Sequence, residues 1–313
     1  MRADNRTWKK DCRKLDVSKA IIYNELYSLY ERQVFLYFEG IDDGMTDIVK
    51  EITDLRYLNW SRTRHSSGTA GSFLKAYSDT DHIKKYYKLS DYDPVRGIVG
   101  HECVNEIIVQ RLLEILGYEH LSYRLLYALI TVDGKEQKTW LCESADYKYS
   151  DESKLALEDF YIAEKEESEA PIDFLKRMGW EANAFKMIIT DFLIINRDRH
   201  GANIEVLRSG KNRSLRLAPM FDHGLSFVCR TRTEKELDAF DPMADKRVQS
   251  FLGSNSLFEN LKLVPAEYIK STPALKPSDR EYILNGMEEI LKKPFLDKIW
   301  EILWRRFEYL GKL

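Results

Sequence analysis

The hydrophobic pattern of this chain changes along its length from short strand-like segments to long helical ones. Before about residue 145, five short segments alternate between apolar and polar residues or are rich in aromatic residues, which predicts strands. A helix from about His101 to Leu116, ended by Gly117, is predicted between the third and the fourth strand. The predicted strands are 55–60, 72–77, 86–90, 123–132 and 139–143.

From Pro171 onward the pattern is mainly helical. One predicted helix carries five apolar residues at the spacing of a single helix face, namely Phe185, Ile188, Ile189, Phe192 and Leu193. A hairpin is predicted from segments 204–207 and 215–221, and helices are predicted in 17–38 and 278–310. This order predicts an α+β fold in which a small antiparallel-sheet lobe precedes a mostly helical lobe. The predicted parts are a helical extension (1–54), a first lobe (55–144) and a second lobe (145–313).

The composition of the chain argues against nucleic acid, zinc and membrane as its partners. The 48 Lys and Arg residues against 51 Asp and Glu residues give a net charge of −3, which argues against nucleic-acid phosphates as the main ligand. The four cysteines lie far apart without a CxxC spacing, so we expect reduced thiols rather than a zinc site. No apolar run has the length of a membrane span. We therefore expect a cytoplasmic protein without a membrane or a direct nucleic-acid partner.

Two polar segments in the second lobe carry the strongest chemical signal, INRDRHGAN at 195–203 and MFDHG at 220–224. Phosphoryl transfer needs a carboxylate to orient the acceptor hydroxyl and oxygen ligands to hold Mg²⁺. Asp198 is the candidate catalytic base, and Asn203 and Asp222 are the candidate metal ligands. Either segment alone is also compatible with a helix cap or a turn, but the two together favour a phosphoryl-transfer site. The histidines within them, at 200 and 223, are interpreted as structural.

The first lobe offers candidates for binding the nucleotide phosphates. A Gly/Ser-rich loop lies between the first two predicted strands and could cover phosphates with its N–H groups, although an ordinary hairpin connection fits equally well. This loop consists of Ser66, Ser67, Gly68, Thr69, Ala70, Gly71 and Ser72. Lys88 on the third strand is the candidate phosphate-binding lysine and Glu106 its partner, with Lys75 and Glu102 as the competing residues. Two further candidate cofactor contacts are Lys75 on the second strand and Glu143 at the end of the fifth strand.

These residues give the chain a resemblance to a known family. The segments IINRDRHGANI and LAPMFDHGLSF, the strand ending in YYKLS, and the Asn105-Glu106 pair that opens NEIIVQRLLEILG are similar to those of the HipA-like kinases. These kinases are the catalytic half of bacterial toxin–antitoxin systems. The resemblance covers roughly residues 60–310. The DRH…N and D-x-G pattern also resembles that of phosphoinositide kinases, which share the broader kinase fold.

The resemblance implies a two-lobed, protein-kinase-like fold and a serine/threonine kinase that uses ATP and Mg²⁺. It implies Asp198 as the catalytic base, Asn203 and Asp222 as metal ligands, and Lys88 with Glu106 as the phosphate-binding pair. It also implies autophosphorylation in the 66–72 loop, an aminoacyl-tRNA synthetase as a target, and an antitoxin protein as a partner. Two alternatives stay open: a catalytically idle, nucleotide-binding kinase fold that acts as a binding module, and a small-molecule or lipid kinase.

Overall fold

A five-stranded sheet dominates the first part of the chain. The computed structural model describes residues 47–61, 73–80 and 83–313, and residues 47–313 form one compact unit. The predicted helices in 17–38 and the predicted phosphate loop at 66–72 lie outside the described residues. In chain order, this part contains β1 (Ile48–Asp54), β2 (Lys75–Thr80), β3 (Ile83–Leu89), the short hairpin of β4 (Tyr92–Asp93) and β5 (Gly97–Ile98), helix α1 (Glu102–Leu116), β6 (Tyr123–Val132) and β7 (Lys135–Ala145).

The sheet order is β1-β6-β7-β3-β2, and every neighbouring pair is antiparallel except β1 with β6, which is parallel. The predicted strand at 55–60 is wrong, because the first strand is β1, which occupies the last seven residues of the predicted extension. Leu55 and Leu58 are buried, but they lie in a turn. In this turn the Leu58 N–H donates to the Leu55 C=O at 3.1 Å. Their apolar spacing therefore reflects packing of a turn rather than a strand.

Nearly all residues of helix α1 are buried. It contacts β6 and β7 on one side and residues around 280 on the other. The guanidinium of Arg111 connects these surroundings, since it donates to both carboxylate oxygens of Asp47 at 2.6 and 2.7 Å and to three carbonyl oxygens. These carbonyls belong to Tyr282, Ile283 and Asn285. The helix ends at Gly117, whose φ of 62° is left-handed, as its sequence predicts.

We call residues 47–145 the sheet part and residues 146–313 the helical part. The helical part also holds a small antiparallel sheet of order β11-β10-β8 and a parallel bridge between β9 and β12. Its elements are β8 (Glu152–Ala156), α2 (Leu157–Glu164), α3 (Pro171–Arg177), α4 (Glu181–Ile194), β9 (Asp198–Arg199), a 3-10 turn (Gly201–Asn203), β10 (Glu205–Ser209), β11 (Leu215–Leu217), α5 (Glu234–Asp238), β12 (Gln249–Ser250), α6 (Leu257–Leu261), α7 (Ala266–Lys270), α8 (Asp279–Leu284) and α9 (Lys293–Leu310).

Helix α4 is the centre of the helical part, and its five apolar residues at one-face spacing are all buried. Its C-terminal turn is held by Arg306 on α9, a fully buried guanidinium between the rings of Phe192 and Phe258. Arg306 donates to three carbonyl oxygens, those of Phe192, Pro242 and Ala244, at 2.8–2.9 Å. It thereby fixes α9 against α4 and the loop at 240–245.

The predicted α+β class, a small and mainly antiparallel sheet followed by a mostly helical part, is confirmed. The predicted hairpin is present as β10 and β11. The predicted boundaries at residues 54 and 144 stay predictions. Across the ranges that the structure describes, no helix is both long and apolar enough to cross a membrane.

Candidate functional site

Three charged side chains from different elements meet at the junction of the sheet part and the helical part. Lys88 on β3 donates to Glu106 Oε1 on α1 at 2.8 Å and to Asp222 Oδ1, which follows β11, at 2.5 Å. The lysine and the glutamate are buried, and the aspartate is partly buried. The structure therefore brings together three of the residues that the sequence proposed.

The competing residues have other positions. Glu102 is also buried, but its Oε2 accepts a hydrogen bond from the Asp91 N–H at 3.0 Å. Lys75 lies directly opposite Lys88 in the β2–β3 register, so both side chains belong to the same face of the sheet. Glu106 is therefore the acidic partner of Lys88, and Lys75 stays a candidate for a second cationic contact.

The carboxylate of Glu106 also binds the backbone that follows Asp222. Its Oε2 accepts from the His223 N–H at 2.8 Å and its Oε1 from the Gly224 N–H at 3.1 Å. This approach favours glycine at 224, because a Cβ there would lie 3.0 Å from the Glu102 Cβ and 3.2 Å from Glu106 Oε1, and its neighbours would have to shift. The D-H-G sequence is therefore explained by contact with α1.

The electrostatics of this cluster favour a charged lysine. Burial alone would lower the pKa of the Lys88 ammonium, but the charges of Asp222 and Glu106 hold that pKa well above its ordinary value. Tyr123 lies beside them, and its hydroxyl accepts a hydrogen bond from the Asp222 N–H at 3.3 Å. Burial, together with the Glu106 charge, raises the pKa of Tyr123, so its hydroxyl stays neutral.

Asp198 and Asn203 lie in the loop that follows α4. The amide nitrogen of Asn203 donates to the Asp198 carbonyl at 2.9 Å, which leaves the amide oxygen as the atom able to ligate a cation. Asn196 fixes the start of the loop by accepting from the Asp198 N–H at 3.2 Å. His200 Nδ1 accepts from the Ala202 N–H at 3.2 Å, so the imidazole is a brace within the loop. The Asp198 side chain is 27% exposed and therefore accessible to a substrate.

Arg199, to which the sequence analysis gave no role, joins this loop to the Asp222 segment. Its buried guanidinium donates to both Asp191 carboxylate oxygens, at 2.9 and 3.1 Å, and to the Phe221 carbonyl at 3.0 Å. Burial opposes its charge, but Asp191 more than offsets this and the Arg199 pKa is raised. The sequence signal for this pair was an aspartate inside the strongly apolar run of α4, which needs a buried cationic partner.

Other predicted contacts are not part of the cluster. Glu143 pairs with Tyr87 in the β3–β7 register, so its side chain lies on the face of the sheet opposite Lys88. Its carboxylate is 3.5 Å from Lys85 Nζ and 3.4 Å from Arg124 Nη1. Residues 66–72 lie outside the described residues, and Phe73, which follows them, places its ring 5.1 Å from Lys88 Nζ.

Asp222 and Asn203, the residues that the sequence proposes as metal ligands, carry oxygen donors of the type that Mg²⁺ takes in proteins. Within residues 47–61, 73–80 and 83–313, no group of three His, Cys, Asp or Glu side chains is placed to hold a metal ion. Mg²⁺ is commonly held by one or two protein oxygens, with substrate phosphates and water completing its shell. The Asp222 carboxylate and the Asn203 amide oxygen match this pattern. The positive charge of a buried ammonium such as that of Lys88 is complementary to the negative charge of a phosphate.

The described residues thus have the predicted order of a sheet followed by helices, with a strand lysine that binds a helix glutamate and an aspartate two residues before a glycine, and this order corresponds to the kinase scheme. Comparisons with models of protein families and with curated proteins find no match.

Solved structures to which the chain is similar include the Helicobacter pylori proinflammatory kinase CtkA, with 14% identity and a TM-score of 0.44 over 82% of this chain and 99% of that one. Another is HipA of a Shewanella oneidensis MR-1 toxin–antitoxin system, solved with HipB and operator DNA. Its identity is 13% and its TM-score 0.37, over 80% of this chain and 67% of that one.

Proposed function

We propose that this chain is an ATP-dependent serine/threonine protein kinase of the HipA-like kind, which transfers the γ-phosphoryl group of ATP to a protein hydroxyl. The observation that carries the proposal is the buried Lys88 ammonium between Glu106 and Asp222. A purely structural role would not need a lysine between two carboxylates, and Arg199 joins the segment of one of them to the loop of Asp198 and Asn203 through the Phe221 carbonyl. Phosphoryl transfer needs all five groups.

Each group has a role in this proposal. Lys88 binds the nucleotide phosphates, and Glu106 holds the lysine in place through its 2.8 Å hydrogen bond. Asp222 and Asn203 hold Mg²⁺, which would neutralise charge on the phosphates when bound. Asp198 accepts a hydrogen bond from the acceptor hydroxyl and orients its oxygen toward the phosphorus. Arg199 keeps the Asp198 loop in register with the Asp222 segment through the Phe221 carbonyl.

Regulation through the phosphate loop is part of the proposal. Ser66, Ser67 and Thr69 are the candidate sites of autophosphorylation. A phosphoryl group there adds about −1.5 to −2 charges where ATP phosphates must bind, so it should inhibit the enzyme. An antitoxin partner and an aminoacyl-tRNA synthetase as the protein substrate are proposed only from the resemblance of the motifs.

The test measures transfer from labelled ATP with Mg²⁺, for the wild type beside Asp198→Asn, followed by mass spectrometry of residues 61–78. The variant should bind ATP with unchanged affinity and lose transfer by at least about 100-fold, the usual contribution of a positioned acid or base. Normal transfer by Asp198→Asn would remove the assigned base. ATP binding without any transfer by the wild type would favour the idle binding module, and absence of binding would overturn the proposal.

A further inference from the structure

Asn105, the residue before Glu106 on α1, makes contacts that the proposed function has not used. Its side chain is fully buried, and its amide nitrogen donates to the Gly224 carbonyl at 2.8 Å and to the Ser226 carbonyl at 3.1 Å. Within the described residues its amide oxygen has no hydrogen-bond partner. A buried polar atom without a partner costs free energy, so the favourable contribution of this side chain comes from the two hydrogen bonds that its amide nitrogen donates.

Asn105 and Glu106 are chemically complementary to one backbone segment. The glutamate, an acceptor, binds the N–H groups of His223 and Gly224, and the asparagine, through its donor end, binds the carbonyls of Gly224 and Ser226. We call residues 222–226 the metal segment. Two neighbouring side chains of α1 therefore bind four backbone groups of the metal segment from both its donor and its acceptor side.

This contact bears on the conformation of Asp222. The residue has a left-handed φ of 61°, which is uncommon for a side chain other than glycine and persists only where the surroundings hold it. Its carboxylate accepts from Lys88 Nζ at 2.5 Å. The direction of that carboxylate depends on the backbone that Asn105 and Glu106 hold.

We infer that Asn105 is a positioning residue for metal binding: it holds the metal segment on α1 so that the Asp222 carboxylate faces the phosphate-binding lysine. The inference rests on the proposed function, because it assigns Asp222 to Mg²⁺. Residues that orient a metal ligand without touching the metal typically change metal affinity or activity by 10–100-fold when they are replaced.

The first test compares Asn105→Ala with Asn260→Ala. Asn260 on α6 is a matched control outside the site, since it is also buried. Its amide nitrogen likewise donates to a backbone carbonyl, that of Ser254, at 3.0 Å. The readout is binding of a non-hydrolysable ATP analogue by calorimetry as Mg²⁺ is titrated. Asn105→Ala should raise the Mg²⁺ concentration for half-maximal binding about tenfold, and the control should leave it unchanged. Equal Mg²⁺ dependence in wild type and Asn105→Ala would overturn the inference.

The second test is independent of nucleotide binding and separates this inference from the proposed function. Hydrogen exchange of the His223 and Gly224 amides, measured on the protein alone, should be faster in Asn105→Ala and unchanged in Asn260→Ala. If the wild type shows no Mg²⁺-dependent nucleotide binding, the proposed function fails. Hydrogen exchange then still tests whether Asn105 holds the metal segment on α1. If Asn105→Ala does not fold, Asn105→Val, which is closer to asparagine in volume and makes no hydrogen bond, takes its place. If the His223 and Gly224 amides of the wild type exchange as fast as those of exposed loops, the inference that Asn105 holds the metal segment on α1 is overturned.

Discussion

Lys88 Nζ donates to Asp222 Oδ1 at 2.5 Å, although the two residues lie 134 positions apart in the chain. The lysine belongs to the sheet part and the aspartate to the helical part, so this contact joins them at the candidate site. Glu106 accepts from the same ammonium and is completely buried. The stability of the protein and the geometry of the site therefore depend on the same three charges.

Replacing Lys88 by Met should destabilise the protein by about 3–5 kcal/mol, because it leaves the buried Glu106 carboxylate without its cation. Adding Glu106→Gln removes that uncompensated charge, so the double variant should lose at least about 1 kcal/mol less than the sum of the two single variants. Urea unfolding of the four proteins measures the coupling. Strictly additive losses would contradict a direct Lys88–Glu106 interaction.

Replacing Gly224 by Ala should cost about 1–3 kcal/mol, since the new Cβ would lie 3.0 Å from the Glu102 Cβ and push the metal segment away from α1. Under the proposed function it should also weaken Mg²⁺-dependent nucleotide binding. Gly311→Ala is the control, because its φ is −65° and its new Cβ would have no neighbour closer than 3.7 Å. Chemical denaturation should show less than about 0.5 kcal/mol of change for the control. Similar losses in both variants would refute the close approach at 224.

Arg306 and Arg305 are adjacent on α9 but should respond very differently to replacement by Met. The Arg306 variant leaves three carbonyls without their donor, those of Phe192 and Pro242 buried and that of Ala244 partly buried, and should lose about 3 kcal/mol or more of unfolding free energy. The Arg305 side chain is 53% exposed and 3.6 Å from Glu301, so its loss should stay within about 0.5 kcal/mol. Urea unfolding of the two variants decides, and a tolerant Arg306 would contradict its proposed role in fixing α9.

His101 should make the protein less stable in mild acid. Burial, and to a lesser extent the Arg232 charge, lowers the pKa of this imidazole from 6.5 to about 4. The unfolded chain therefore binds the proton first, and stability falls as the pH drops from about 6.5 to 4, with no further loss below that. At pH 5 the His101 contribution to this loss is about 2 kcal/mol.

His101→Gln should remove this part of the pH dependence. Between pH 7 and pH 5 the unfolding free energy of the wild type should fall by about 2 kcal/mol more than that of the variant. The measurement is urea unfolding at both pH values. Parallel losses in the two proteins would show that His101 does not titrate in this way.

The parts of the fold with strong periodicity could be predicted from sequence. Strand β6 has the predicted bounds, and α4 buries the predicted face, because each has an unbroken apolar pattern. Strand β1 could not be predicted, since Ile48 is its one buried residue and the remaining positions are polar or partly exposed. Likewise, β8 and α2 lie in a charged stretch in which local pattern carries little information.

The candidate site also has contacts that the sequence predicts and contacts that it does not predict. The pairing of Lys88 with Glu106 could be predicted from the order of strand lysine and helix glutamate, whereas the contact of Lys88 with Asp222 was not predicted. The hold of Asn105 on the metal segment and of Arg199 on the Phe221 carbonyl could not, because both are bonds to backbone atoms of distant residues. Glu143, predicted as a cofactor contact, has its side chain on the face of the sheet opposite Lys88 because of strand alternation.

Arg111 has a consequence for how the protein unfolds. Its single guanidinium binds Asp47 at the start of β1 and three carbonyls of the helical part, so neither part can lose structure without leaving these groups unpaired. Sheet and helices should therefore melt in one cooperative transition rather than as separate units. Lys88 on the sheet and Asp222 in the helical part would then stay aligned in every molecule that is folded.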